Sequence, residues 1–200
     1  MGTRLVFIDS RVADHQGLIA GLGADSEWML LDSDSEGVPQ VQAALNGRSG
    51  LASIRILAHG RSGALLLGAS ELTHENLEQH SRNLALIGQA LDDQGDLQIY
   101  GCEVGQGNAG RAFVAALAEA LGAPVAASSA PVGHVDLGGD WRLDVGETRS
   151  PLLQKPEWHG LLGLTITVLP QSIPGRTAGE VRNQDAFAAL RSDGSVVTWG

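Results

Sequence analysis

His59 and Cys102 stand at matching places in the chain. Each follows a short apolar run, Ile54 to Ala58 (IRILA) and Leu97 to Tyr100 (LQIY), and each is flanked by glycine, as His59-Gly60 and Gly101-Cys102. Forty-three residues separate them. A thiol attacks a carbonyl as thiolate, and a neighbouring imidazole can take its proton. Flanking glycines let the backbone turn sharply, so that N–H groups can face a developing oxyanion. Gly60 and Cys102 N–H are the natural donors. A lone cysteine is also often a small buried hydrophobe, and a histidine at a strand end can be an ordinary surface residue. The chemistry requires the two apolar runs to be neighbouring strands.

The elements that would position this pair follow from periodicity. Leu5 to Ile8 (LVFI), Trp28 to Leu31 (WMLL), Ile54 to Ala58, Leu97 to Tyr100 and Val125 to Ala127 read as strands. Trp141 to Val145 reads as a sixth, antiparallel at an edge. Helical stretches are expected over Val12 to Leu22, from the capping-box spacing Ser33 to Glu36 as far as Leu45, over Thr73 to Leu91 as the longest helix, and over Ala109 to Leu121. A hairpin is expected at Gly63 to Gly68. Short strands alternating with helices imply βαβ units, hence an α/β domain with a mostly parallel sheet and helices on both faces. In such sheets, function gathers beyond the carboxyl ends of the strands, where His59 and Cys102 fall.

Composition narrows the alternatives. Of 200 residues, 43% are hydrophobic and 18% charged, a globular balance. The net charge of −10 argues against sequence-independent nucleic-acid binding. A single cysteine excludes an internal disulfide framework and a multi-cysteine zinc site. No run reaches the ~20 apolar residues of a membrane span. The start, MGTRLVFIDS, lacks a signal-peptide pattern, so export would need a signal elsewhere.

Residues 1–147 therefore read as the α/β domain. Residues 148–180, with prolines at Pro151 and Pro156 and a Pro/Gly/Ser-rich stretch from Pro170, read as a linker carrying one β-prone segment, Leu161 to Leu169. Residues 181–200 alternate around a Ser-Asp-Gly turn, which is hairpin chemistry. Their ending, DGSVVTWG, resembles the opening of a β-propeller-type repeat of the chromosome-condensation-regulator kind. One such copy is incomplete, and a longer parent protein is expected.

Other motifs carry less. Gly105 to Gly110 is a literal GxGxxG before a helix, yet no acidic residue ends the next strand to hold a ribose. Its glycines are better read as bending the loop after Cys102. Asp32 to Gly37 mimics half of a calcium loop, but the twelfth position is Ala43. No Gly-x-Ser-x-Gly elbow is present. The remaining histidines have no metal-ligand spacing on a helix, so neither a metal nor a cofactor is expected. His134 follows the loop after the fifth strand and could line the same cleft.

The His-Gly and Gly-Cys strand ends resemble the motifs of caspase-like cysteine peptidases, a group that includes caspases, gingipains, clostripain and separase. Across about residues 3–146, LVFIDS, ILAHGRSGALLLG, IYGCEVGQGNAG and LGGDWRLD look more specifically like an uncharacterised domain at the N-terminus of very large bacterial surface, repeat and adhesin-like proteins. The resemblance implies a caspase-like three-layer sandwich and a cysteine endopeptidase. Cys102 would be nucleophile and His59 general base and acid, with the Gly60 and Cys102 N–H groups holding the oxyanion. The substrate would be a protein or peptide, including the chain's own downstream part or neighbouring surface proteins, and the location secreted or cell-surface. Gly101-Cys102-Glu103-Val104-Gly105 departs from the caspase nucleophile sequence, so caspase specificity does not carry over. In such folds the loop after the fifth strand shapes the substrate pocket. Here that implies Ser128 and Ser129, with Glu103 and Asp140 as candidate charges. Asp140 is better read as capping the Trp141 strand or pairing with Arg142, and Glu103 fits equally well as a helix N-terminal acid. The alternative class is a catalytically silent module at the front of an adhesin-like protein.

Overall fold

Alternating burial along the first strand sets up two cores. In β1 (Arg4–Asp9), Leu5 and Phe7 face one side of a sheet while Val6 and Ile8 face the other. All four are buried, as expected of a parallel strand covered on both faces. The computed structural model describes residues 2–23, 26–155 and 157–163, together with the backbone of 187–190 and 196–199. It divides into a unit ending at Gly163 and a second unit from Leu164.

In the first unit, β1 pairs in parallel with β2 (Ser26–Leu31) and with β3 (Leu51–Leu57). Next come β7 (Leu91–Tyr100), β8 (Val125–Ala127) and the antiparallel edge strand β9 (Val145–Gly146), giving the order β2-β1-β3-β7-β8-β9. Between β3 and β7 the chain forms a small antiparallel sheet from β4 (Gly60–Arg61), β5 (Ala64–Leu67) and β6 (Ser70–Thr73). Gly63 to Gly68, expected as a hairpin, supplies only the middle strand of this sheet.

One face carries α2 (Gly37–Ala44), α3 (Ser81–Gly88) and α4 (Gly107–Leu121), which bury Val38, Val41, Leu84, Ile87, Phe113 and Leu117 with Leu5 and Phe7. The other carries α1 (His15–Ala20), whose Leu18 packs with Val6 and Ile8. This is the α/β three-layer arrangement expected, with helices on both faces of a mostly parallel sheet.

Some boundaries differ. Among the described residues the longest helix is α4, not Thr73 to Leu91. The latter region opens with a 3-10 turn, His74–His80, capped reciprocally by Thr73 and Asn76, and ends at Gly88. A Cβ at Gly88 would lie 1.9 Å from the Leu121 carbonyl oxygen, so α3 meets the end of α4 in backbone contact. Ser33 does not cap α2, which starts at Gly37 behind Glu36.

The domain boundary also moves. Residues 148–163, expected as linker, cross the α1 face of the sheet as a strap. Every second residue of β7 points to that face, and several bind the strap in turn. Asp96 Oδ2 accepts from Thr148 Oγ1 (2.7 Å) and from the N–H groups of Arg149 and Ser150 (2.7 and 2.8 Å). Gln98 Nε2 donates to the Ser150 carbonyl at 3.0 Å. The Tyr100 hydroxyl accepts from Leu153 N–H at 2.6 Å. These bonds satisfy Asp96 Oδ2, Gln98 Nε2 and the Leu153 N–H, and Pro151 suits a segment that supplies few ladder bonds. Trp158 then buries its ring against Trp141, with Nε1–H donating to the Asp14 carbonyl.

In the second unit, β10 (Phe187–Leu190) and β11 (Val196–Trp199) pair antiparallel, as the alternation predicts. The Ser-Asp-Gly turn and most of Leu161 to Leu169 lie outside the described residues. Among the described residues no helix is long and apolar enough to cross a membrane.

Candidate active site

The pairing of β3 with β7 fixes the site. Leu57 is opposite Tyr100, so His59 and Cys102 each lie two residues past the same rung, at the carboxyl edge of adjacent parallel strands. The sequence expectation required this adjacency. Both side chains are buried.

Gly60 is enclosed. A Cβ there would come 2.4 Å from Val104 Cγ2 and 3.1 Å from the Cys102 carbonyl oxygen. Only glycine lets the two strand ends approach this closely. Their N–H groups converge on one acceptor, the Leu162 carbonyl oxygen, with Cys102 N–H at 3.0 Å and Gly60 N–H at 3.3 Å. Two backbone donors on one carbonyl beside a thiol have the arrangement of an oxyanion hole.

The end of the strap lies against the loop after β8, bridging at Leu161 and Gly163 on either side of a bend at Leu162. His134 N–H donates to the Gly160 carbonyl and Leu162 N–H to the Val132 carbonyl, both at 2.8 Å. Leu162 is fully buried with Val132, Tyr100, Trp141 and Cys102. A Cβ on Gly163 would stand 3.1 Å from Cys102 Sγ.

His59 is oriented by a group that sequence reasoning did not single out. Its Nε2 lies 3.2 Å from the Arg11 carbonyl oxygen. A carbonyl only accepts, so Nε2 carries the hydrogen, and in the neutral ring Nδ1 bears the lone pair. Nδ1 is buried with no hydrogen-bond partner among the described residues. The Arg11 turn is held by Asp9 at the end of β1, whose carboxylate takes Arg11 N–H, both guanidinium contacts at 3.0 Å, and Gly68 N–H at 2.7 Å. The only sequence signal for this was an acid closing an apolar strand.

Cys102 Sγ accepts from Val132 N–H at 3.2 Å and lies 3.6 Å from the Val132 carbonyl. Burial pushes the thiol up to about 11; the Glu103 charge adds to this, while the Val132 and Leu162 backbone contacts oppose it. The thiol is therefore protonated at neutral pH in this state, and no hydrogen bond joins it to His59.

The other expected pocket residues serve the loops they belong to. Ser128 Oγ bonds within its own turn, to Ala130 O and N. Ser129 binds Asp144 through both N–H and Oγ. Asp140 is exposed and accepts Arg142 N–H, the capping role favoured above. Glu103 adopts φ +60° and accepts from Gln106 at 3.1 Å. In the Gly105 to Gly110 stretch, a Cβ at Gly110 would meet the Gly105 carbonyl carbon at 2.2 Å, so those glycines serve a tight entry into α4. His134, Asp136 and His159 bring one potential ligand atom each within 4.8 Å of one another, beside the strap.

Residues 5–159 match the family model described as Domain of unknown function (DUF4347). The chain belongs to that family. The match takes in β1 with Asp9 and Arg11, His59, Cys102 and the strap as far as His159. A search of curated proteins finds no match.

Proposed function

We propose that this chain is a caspase-like cysteine endopeptidase domain, with Cys102 as nucleophile and His59 as general base and acid. The observation that carries the reading is the convergence of Gly60 N–H and Cys102 N–H on one peptide carbonyl, beside a thiol and a histidine with an unpartnered inner nitrogen.

The chemistry follows from these groups. His59 Nδ1 takes the thiol proton, and Sγ forms a bond to the carbonyl carbon. The oxyanion gathers the two N–H donors. Collapse breaks the C–N bond, and the proton on Nδ1 goes to the leaving amine. The resulting thioester is hydrolysed by water, with His59 again the base. Arg11 O keeps the ring in the required tautomer. Removing one oxyanion donor typically costs a factor of 10² to 10³. The substrate is a protein or peptide held as an extended strand along Val132 to His134, and no cofactor enters these steps. The resemblance to N-terminal domains of large bacterial surface proteins supports a secreted or cell-surface setting.

The buried, protonated thiol favours a second reading, a catalytically silent module in which Cys102 only fills the core. The two separate on labelling with a leucyl chloromethyl ketone peptide, which forms a thioether with an activated cysteine. The peptidase reading expects Cys102 to be modified much faster by this peptide than by iodoacetamide, and the advantage to vanish in His59→Ala. Equal, slow rates with both reagents, unchanged in His59→Ala, support the silent module.

A further inference from the structure

We infer that the domain cuts its own chain at the Leu162–Gly163 peptide bond. The inference rests on the peptidase reading and names its substrate.

Four observations converge on this bond. The Leu162 carbonyl oxygen is the acceptor that both oxyanion donors hold, at 3.0 and 3.3 Å. The residues before it are paired with the backbone of the loop after β8. They bond through Gly160 O and Leu162 N to the backbone of His134 and Val132, with bridges of Leu161 to Gly133 and of Gly163 to Gly60. The Leu162 side chain fills the apolar recess next to the nucleophile and is wholly buried. The following residue must be small, because a Cβ at Gly163 would come 3.1 Å from Sγ and 3.3 Å from Cβ of Cys102. Glycine thus leaves the thiol a path to the carbonyl carbon.

The strap explains why this bond is presented. Asp96, Gln98 and Tyr100 bind it in ascending order along β7, and the next residue on that face is Cys102. Thr148 to Leu153 are therefore anchored in a register that delivers Leu162 to the site. Holding substrate and nucleophile in one frame replaces an encounter with an intramolecular step. The first compact unit ends at Gly163, so the cut would release everything that follows from the catalytic unit. Sγ attacks the Leu162 carbon, Gly163 leaves with its amine protonated by His59, and water frees the Leu162 carboxylate. No hydrogen bond joins His59 to Cys102 in this state, and such bonds commonly tighten only as the reaction begins.

The test is intact-mass spectrometry of the full chain during incubation at neutral pH, over a range of protein concentrations. Wild type is expected to give one fragment ending at Leu162 and another starting at Gly163, at a rate independent of concentration. Cys102→Ala stays whole. Gly163→Val, whose branched side chain meets Sγ, also stays whole. A wild-type chain that remains whole, or is cut at another bond, overturns the inference. If Cys102 of that whole chain still reacts with the ketone in a His59-dependent way, the peptidase reading survives and the strap is an inhibitor. If it does not, both fall.

Discussion

The Tyr100 hydroxyl in the buried sheet accepts a hydrogen bond from the Leu153 backbone N–H at 2.6 Å. The same hydroxyl donates to Gln98 Oε1 at 2.8 Å. It therefore ties the strap to the strand that carries Cys102. Tyr100→Phe keeps the ring but strands a buried N–H. Such a group costs about 1–3 kcal/mol. The variant is expected to unfold at lower urea concentration by that amount and to lose amide-exchange protection in residues 153–162 before the rest of the sheet. Protection unchanged along the strap contradicts the anchoring role.

Stability should fall at both ends of the pH range. Burial raises Cys102 from its ordinary 9.0 to about 11 and Tyr100 from 10.0 to about 12. Between the ordinary and folded values the folded chain holds a proton that the unfolded chain has lost. The stability from these groups is complete below about pH 9 and is lost as pH rises through about 11 and about 12. At the acid end, burial raises Asp96, but hydrogen bonds led by Ser150 N–H outweigh it, and its carboxyl sits below the ordinary 3.8. That contribution is present above 3.8 and disappears as pH falls through the lower folded value. Urea unfolding against pH checks both limbs. Cys102→Ala flattens the start of the alkaline limb, and Asp96→Asn flattens the acid one.

Gly60→Ala should damage the site more than the fold. Its methyl meets Val104 Cγ2 and the Cys102 carbonyl, so the strand ends must part and one oxyanion donor shifts. Cleavage is expected to slow by about 10² or more, against a loss of about 1–3 kcal/mol in stability for overpacking. Single-turnover rates and urea midpoints separate the two effects. A normal rate in a destabilised variant would remove Gly60 from the mechanism.

Much of this site is legible in the sequence. The apolar runs before His59 and Cys102 identify parallel strands ending on those residues, but the order of the strands is not in the pattern, and it is the β3–β7 pairing that makes them neighbours. The strap is not legible. Pro151, Pro156 and the serines around them have the composition of a linker, while the bonds that dock them reach back more than 50 residues to Asp96 and Tyr100. No local period records such pairings. Arg11 acts through a backbone carbonyl, which leaves no side-chain signature. Ser128 and Asp140 have pocket chemistry but bond within their own turns, and Ser129 is spent on Asp144.

The strap should also govern the reactivity of the thiol. Leu162 is fully buried beside Cys102, and a buried carboxylate there is strongly unfavourable. Leu162→Asp is expected to lift the end of the strap from the groove. Iodoacetamide should then alkylate Cys102 severalfold faster at pH 8, with an apparent pKa closer to the ordinary 9.0. An unchanged rate contradicts occlusion by the strap.

The most direct measurement is to trap the bond between Cys102 and Leu162. Hydroxylamine at neutral pH intercepts a thioester and leaves a hydroxamate on the acyl carbon. The account predicts that the N-terminal fragment of the wild-type chain carries a hydroxamate at Leu162, visible by mass spectrometry, and that Cys102→Ala and His59→Ala yield none. A fragment ending at Leu162 only as the free acid, at any hydroxylamine concentration, or formed equally by Cys102→Ala, would contradict attack by Cys102 on that carbonyl.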